Sequence, residues 1–285
     1  MDPALARTIW HRLEVVNAVA YFSPECREAP ERLGLRGFWM GYFACRAAPM
    51  GAVSHGVVEA TFANFHPDRV RRAIPDAWAI ATPDDVVAVR SDAAATALRR
   101  LLGADAAEEL ADAVGPPCRE AVGRAAAAGR PLFAANRDVP EPADPVAALW
   151  QAATSLREHR GDGHVALLTA ADLDGCESHV LFAACEGVPA ELYLQSRGWS
   201  ADDWSDAVDR MAARGLLEGS ARATDAGRAL RDGIERGTDE LAAGPFAGAG
   251  GAWVERVLPT LDRAATRIAE AGEISFPNPM GLPRP

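Results

Sequence analysis

Apolar side chains recur at Leu5, Ile9, Leu13, Val16 and Ala20, in steps of three and four that put them on one face of an opening helix. Phe38 to Arg46 reads as a second, aromatic-rich helix. Within it Trp39, Tyr42 and Arg46 step at three and four, so an indole, a phenol and a guanidinium share one face. Beyond Asn136 the run NRDVPEPADP breaks the periodicity, because its prolines cannot continue a helix and its acids stay solvated. The pattern therefore predicts a first module over 1–135, a linker over 136–145 and a second module over 146–285. A helix is expected over 146–156, then a charged turn from Arg157 to His164, then a further helix.

The halves look related. Trp39 with Trp150 and Arg46 with Arg157 keep one spacing, as do Ala60 with Ala171 and Phe62 with Leu173. Thr82-Pro-Asp-Asp85 matches Ser200-Ala-Asp-Asp203, and Phe133-Ala134 matches Phe246-Ala247, with only short insertions between. Two similar modules in one chain can pack as a pseudo-dimer with a cavity near the false twofold axis.

The clearest local signals lie in residues 198–241. Ser200 is an N-cap with Asp203 at the capping-box position, and Trp204, Val208 and Met211 share one helix face. Arg214-Gly215 ends that helix, Leu216-Leu217 opens a short strand, and Thr224 caps a helix whose inward positions are Leu230, Ile234 and Leu241. This stretch resembles the winged helix of MarR-type regulators, through its recognition helix, its RGLLE entry to the wing and the T-x-x-G-x-x-L start of the next helix. The whole chain also resembles an actinobacterial family labelled helix-turn-helix, through GFWMGYFACRAAPMG, GRPLFAANR and REHRGDGH. The resemblance implies a fold and no particular activity: mostly α, tandem winged-helix-like modules forming an intrachain pseudo-dimer with small β-wings.

Charge changes that picture. The net charge is −11, and all 29 basic residues are arginine. The absence of lysine excludes a Schiff-base lysine, a Walker GKS/T loop and a kinase lysine. A DNA reader presents basic or neutral polar residues to the groove. The helix from Ser200 to Arg214 instead carries Asp202, Asp203, Asp206 and Asp209 against Arg210 and Arg214, and its wing shrinks to about EGSAR. Nucleic acid is therefore not an expected partner. No apolar run approaches the roughly 18 residues of a membrane span, and the N-terminus lacks a signal-peptide core, so a cytoplasmic protein is expected. Five cysteines without CxxC spacing read as small core residues.

The most unusual stretch is Arg157-Glu-His-Arg-Gly-Asp-Gly-His164. His164 ahead of a helix N-terminus would be a neutral imidazole beside Arg157, Arg160, Glu158 and Asp162, and so a usable acid or base. It is the candidate catalytic group, with Glu177 or Glu158 as orienting carboxylate and Arg157 or Arg46 holding an anionic substrate. Trp39, Tyr42, Arg46, Tyr21, Phe62, His66 and His159 are the candidate substrate-binding residues. Arg46 and Arg157, related across the false twofold, would face either an anionic ligand or buried partners such as Glu59 and Glu177. His179 reads as surface. The glycine-rich run after Pro245 reads as a hinge. The proline-rich tail from Ser275 either frays or drapes over the opposite module through Phe276 and Leu282.

These residues favour a small-molecule-binding protein on a winged-helix scaffold that has lost DNA binding, with scope for cofactor-independent acid/base chemistry on a small anionic or aromatic metabolite. One alternative is a ligand-responsive MarR-like transcription regulator. A second is a metal- or haem-binding protein using the clustered histidines His159 and His164, although no HExxH or Cys/His knuckle is present. No cofactor is expected on the first reading, and the chain would act as a pseudo-dimeric monomer or a homodimer.

Overall fold

The computed structural model describes residues 2–219, 222–247, 251 and 253–285. Fourteen α-helices dominate the described residues. The first half runs α1 (Pro3–Phe22), α2 (Pro24–Arg32), α3 (Gly37–Ala47), α4 (His55–Thr61), α5 (Pro67–Arg71), α6 (Pro83–Leu102), α7 (Ala104–Arg124) and α8 (Pro131–Arg137). The second runs α9 (Pro145–Ala170), α10 (Gly175–Glu186), α11 (Ala190–Arg197), α12 (Ala201–Ala213), α13 (Asp225–Ala243) and α14 (Leu258–Glu270). Helix starts obey local chemistry. Asp2, Thr82, Asp144, Ser200 and Thr224 each cap the adjoining first turn with a side-chain oxygen.

Two matched sequence motifs become the same local structure. Thr82 Oγ1 accepts the Asp85 amide at the start of α6, and Ser200 Oγ accepts the Asp203 amide at the start of α12. The two helices lead into different structures. After α12, strands Leu217–Glu218 and Arg222–Ala223 pair antiparallel, with Leu217 opposite Ala223. After α6 the chain passes through Gly103 straight into α7. Among the described residues this is the only sheet, so the expectation of a wing in each half is corrected to one. The wing tip at Ser220 and Ala221, and much of the expected glycine-rich hinge (248–250 and 252), lie outside the described residues.

The expected turn at Arg157–His164 is also corrected. It is the interior of α9, a helix of 26 residues. Each of Gly161 and Gly163 costs roughly 1 kcal/mol against alanine, yet helical residues continue on both sides. A Cβ at Gly163 would make only ordinary contact with α13, 3.5 Å from Leu241 Cδ1. Most of α9 is buried on every side, so it carries little amphipathic bias.

The main core joins Ile9, Leu13 and Val16 of α1 to Leu98, Leu110, Leu149, Leu261 and Ile268. It thus draws on both sides of the proline-rich segment. A second cluster gathers Phe43, Phe62, Phe65 and Ile74; a third gathers Leu173, Leu181, Met211 and Ile234 beneath α12 and the wing. The tail packs down through Ile274 and Leu282 on the main core, with Phe276 half-buried beside them. Two glycines permit close approaches. A Cβ on Gly227 would sit 2.2 Å from the Leu216 carbonyl, and one on Gly175 would sit 1.9 Å from the Ala63 carbonyl. The first welds α13 to the wing; the second presses α10 against the first half.

Candidate functional site

Where α1, α3, α9, α10, α11 and α13 converge they enclose a cavity of about 540 Å³, walled on one side by Pro279–Gly281 of the tail. Arg157 and His164 line it together with Tyr42 and Arg46 of α3. They share one wall because of the helix that the sequence did not reveal. Seven residues apart on α9, Arg157 and His164 differ by only about 20° around its axis.

Glu158 is the centre of charge on this wall. Arg46 Nη2 donates to both of its oxygens, at 2.9 and 3.1 Å, and Arg157 Nη1 donates to Oε2 at 2.6 Å. Arg157 Nε also faces Glu14 Oε1 at 3.4 Å. Arg46 Nη1 donates to the Tyr42 hydroxyl at 3.0 Å, and its guanidinium lies 4.2 Å from the centre of the Phe62 ring. The two arginines do meet, then, but on Glu158 and Glu14 rather than on the expected Glu59 or Glu177. Burial works to raise the pKa of Glu158, and the guanidiniums of Arg157 and Arg46 outweigh it and hold the group below its usual range. Glu14 is pushed up by its burial, against the pull of Arg157.

A second ionic group closes the other end. Arg160 donates to Asp239 at 2.8 Å, Arg7 Nε reaches the same carboxylate at 2.6 Å, and Arg231 pairs with Glu235 at 2.6 Å. His164 sits beside this group. Its Nδ1 lies 3.0 Å from Thr238 Oγ1, whose own proton goes to the Ile234 carbonyl at 2.7 Å. Thr238 must therefore accept, so Nδ1 carries the imidazole proton and Nε2 is left bare. Burial, reinforced by Arg160 and Arg231 against Glu235, brings the pKa of His164 down to about 4. The expected helix N-terminus has no part in this, because His164 lies deep inside α9.

Several expected site residues point elsewhere. Glu177 completes a capping box with Asp174 and receives Arg210 Nε at 2.9 Å, away from the cavity. His159, about 140° around α9 from His164, packs edge-on against Phe133 at 4.9 Å. His66 accepts the Asp68 amide at the start of α5 and meets Trp199 edge-on. Trp39 packs among Phe43 and Phe65 under the Arg69 guanidinium. Tyr21 leans on Tyr42 at 5.5 Å and lines a small adjoining crevice, while Phe62 does line the cavity. His179 is not a surface residue. It is buried, stacked on Tyr193 at 4.4 Å, and bonded to the Asn64 carbonyl at 3.2 Å.

His11, His164 and His179 all line the cavity, but among the described residues no group of three or more His, Cys, Asp or Glu is placed to hold a metal ion. The five cysteines are free thiols. No helix is long and apolar enough to cross a membrane.

Sequence reasoning missed His11, Glu14, Arg197, Glu235 and Thr238. Glu14 left a trace, as a carboxylate set inside the apolar run Leu13–Val16. Arg197 left none, because its environment is built by segments far away in the chain.

On α12, Arg210 is held by Asp174 and Glu177, and Arg214 by the carbonyls of Ala171 and Asp172. Both basic side chains fold back, leaving Asp202, Ser205, Asp206 and Asp209 exposed. A family model described as a helix-turn-helix family matches residues 6–275. No curated protein and no solved structure matches.

Proposed function

We propose that this chain, which belongs to the helix-turn-helix family, holds a small anionic or aromatic metabolite in its interhelical cavity and has given up DNA binding. The observation that carries the proposal is the meeting of Arg46 and Arg157 on Glu158 in a wall shared with Tyr42, Phe62 and His164. A cavity of about 540 Å³ falls within the range that small-molecule sites occupy.

The scaffold on this reading is a winged helix over α10, α11, α12 and the strand pair, fused to a first module that lacks a wing. On this reading the modules span 1–135 and 146–285, with 136–145 as linker, and the N-caps at Thr82 and Ser200 support their common origin. The chain acts as a pseudo-dimeric monomer. Any chemistry needs no cofactor. His164, neutral at pH 7 and bare at Nε2, accepts a proton, while Arg157 and Arg46, held by Glu158 and Glu14, line the same wall.

The family description favours one competing reading, a ligand-responsive transcription regulator. The exposed face of α12 stands against it, since aspartates facing phosphates repel them. Two measurements decide. Native mass spectrometry of freshly purified protein should reveal a bound small molecule that denaturation releases. A gel-shift screen with genomic fragments at low salt should give no sequence-specific complex; finding one would overturn the loss of DNA binding.

A further inference from the structure

Of the arginines that line the cavity other than Arg197, Arg236 is exposed to solvent and each of the rest has a carboxylate. Arg46 and Arg157 share Glu158 and Glu14, and Arg7, Arg160 and Arg231 share Glu235 and Asp239. Arg197, the last residue of α11, lines the same cavity and has no ion-pair partner among the described residues. Its Nη2 donates to the Pro279 carbonyl of the tail at 2.7 Å, its Nε is buried with no acceptor, and its guanidinium lies 4.6 Å from the centre of the Phe65 ring. Its backbone carbonyl is fixed by the His66 amide at 3.0 Å, so the helix end is anchored to the first half.

An unpaired guanidinium out of water is costly, and its charge cannot be shed by deprotonation at any ordinary pH. Burial, with Arg46 and Arg157 adding to it against Tyr42 and Tyr193, disfavours the cation further. The inner wall holds three guanidiniums, of Arg46, Arg157 and Arg197, and the carboxylates of Glu14, Glu158 and Asp162. Asp162 accepts the Phe133 amide at 2.9 Å, and of the three guanidiniums Arg197 alone has no carboxylate among the described residues. A monoanion would supply Arg197 with the partner it lacks; a dianion would add repulsion against Glu158 and Asp162. The surroundings specify the rest of the ligand. Phe65 covers the guanidinium, Tyr42 lies 5.5 Å from Phe65, and Phe182 and Tyr193 contribute further ring surface.

We infer that Arg197 is the anchor for the carboxylate of a ring-bearing monoanion, received on its guanidinium while the ring lies among Phe65, Tyr42 and Tyr193. This rests on the ligand-binding reading of the cavity and adds to it the anchoring residue and the chemical class. A phosphate ester, carrying close to two charges, is the poorer fit.

The test is equilibrium binding of three matched probes to the full chain by calorimetry: 2-naphthoate, neutral 2-naphthamide and 2-naphthyl phosphate. Naphthoate should bind at least tenfold more tightly than the amide or the phosphate. Arg197→Gln should lower naphthoate affinity at least tenfold, to the level of the amide, and leave the amide unchanged. Arg197→Lys, which keeps the charge and loses the fork, should fall between. Because the substitution to Gln removes an uncompensated buried charge, its melting temperature should equal or exceed that of the wild type. Equal naphthoate binding by Arg197→Gln and wild type overturns the anchor and leaves the cavity reading standing. So does a wild type that binds amide and carboxylate alike, a comparison that needs no variant to fold. Tighter binding of the phosphate overturns the monoanion class. A wild type that binds none of the three overturns the cavity reading itself.

Discussion

Arg46 and Glu158, 112 positions apart in the chain, form a two-oxygen ion pair at 2.9 and 3.1 Å with both side chains nearly excluded from solvent. Arg157 binds the same carboxylate, so one acid neutralises cations from α3 and α9 at once. Glu158→Gln would leave two buried guanidiniums facing a neutral amide. Breaking a buried pair by removing one partner costs about 3–5 kcal/mol, and a loss in that range is expected in urea denaturation. The paired change Arg46→Met with Glu158→Leu should cost less than Glu158→Gln alone. A Glu158→Gln variant within about 1 kcal/mol of wild type would mean that Glu158 is not the neutralising group.

Stability should fall as the solution is acidified from neutrality, because the buried histidines outnumber the carboxylates that act in the opposite direction. Those are Asp162 and Glu14, which burial pushes up, Asp162 to about 6. Burial is the chief cause that takes His11, His159 and His164 down to about 4 and His179 to about 3. In the unfolded chain each titrates near 6.5. Between those values the unfolded state binds protons that the folded state refuses, so unfolding is favoured as pH drops from about 6.5 to 4, by up to about 1.4 kcal/mol per pH unit for each histidine. Glu158 acts in the same direction at lower pH, since its depressed pKa contributes stability that is lost as pH falls through the folded value. Urea midpoints at pH 7.5, 6 and 5 check this, and a flat profile across them would refute the buried neutral histidines.

How much of the fold and site was legible depended on how far apart the interacting residues lie. The segment from Ser200 to Thr224 read correctly because its signals are local: two N-caps, a glycine stop, and a T-x-x-G whose glycine clears the Leu216 carbonyl. Helix α9 misled, because burial on all sides erases the apolar stripe that marks a helix, and Gly161 and Gly163 imitate a turn. With the helix misread, His159 and His164 were grouped as neighbours although they face opposite ways. Arg157 and His164 were still paired correctly, since either geometry keeps them close. The partners of Arg46, Arg157 and Arg197 were beyond reach, because each is a contact between distant segments.

The exposed face of α12 predicts tolerance. Asp206 touches no cation among the described residues and lies exposed, so Asp206→Ala should change stability by no more than about 0.5 kcal/mol and leave probe binding in the cavity unaltered. Arg210→Ala is the informative contrast. It strips Glu177, a buried carboxylate, of its nearest cation and should destabilise the chain measurably more. Equal effects from the two substitutions would show that Arg210 is not held inward.

The protonation of His164 offers the most discriminating test of the site. The Thr238 hydroxyl spends its proton on the Ile234 carbonyl, so the short contact to Nδ1 requires the Nδ1–H tautomer. Long-range ¹H–¹⁵N spectra at pH 7 should show one neutral imidazole with Nδ1 protonated, and that signal should vanish in His164→Asn. The two amide replacements should then part company. Asparagine places its amide nitrogen where Nδ1 was and keeps the bond to Thr238, so stability should stay within about 1 kcal/mol of wild type. Glutamine places its polar end nearer to Nε2 and leaves Thr238 without that donor, at a cost of about 1–3 kcal/mol. Both remove the basic nitrogen, so both should abolish any proton transfer at this site, while only His164→Gln should lower the urea midpoint. An Nε2–H tautomer, or an imidazolium at pH 7, would overturn the assignment of His164 as the proton acceptor.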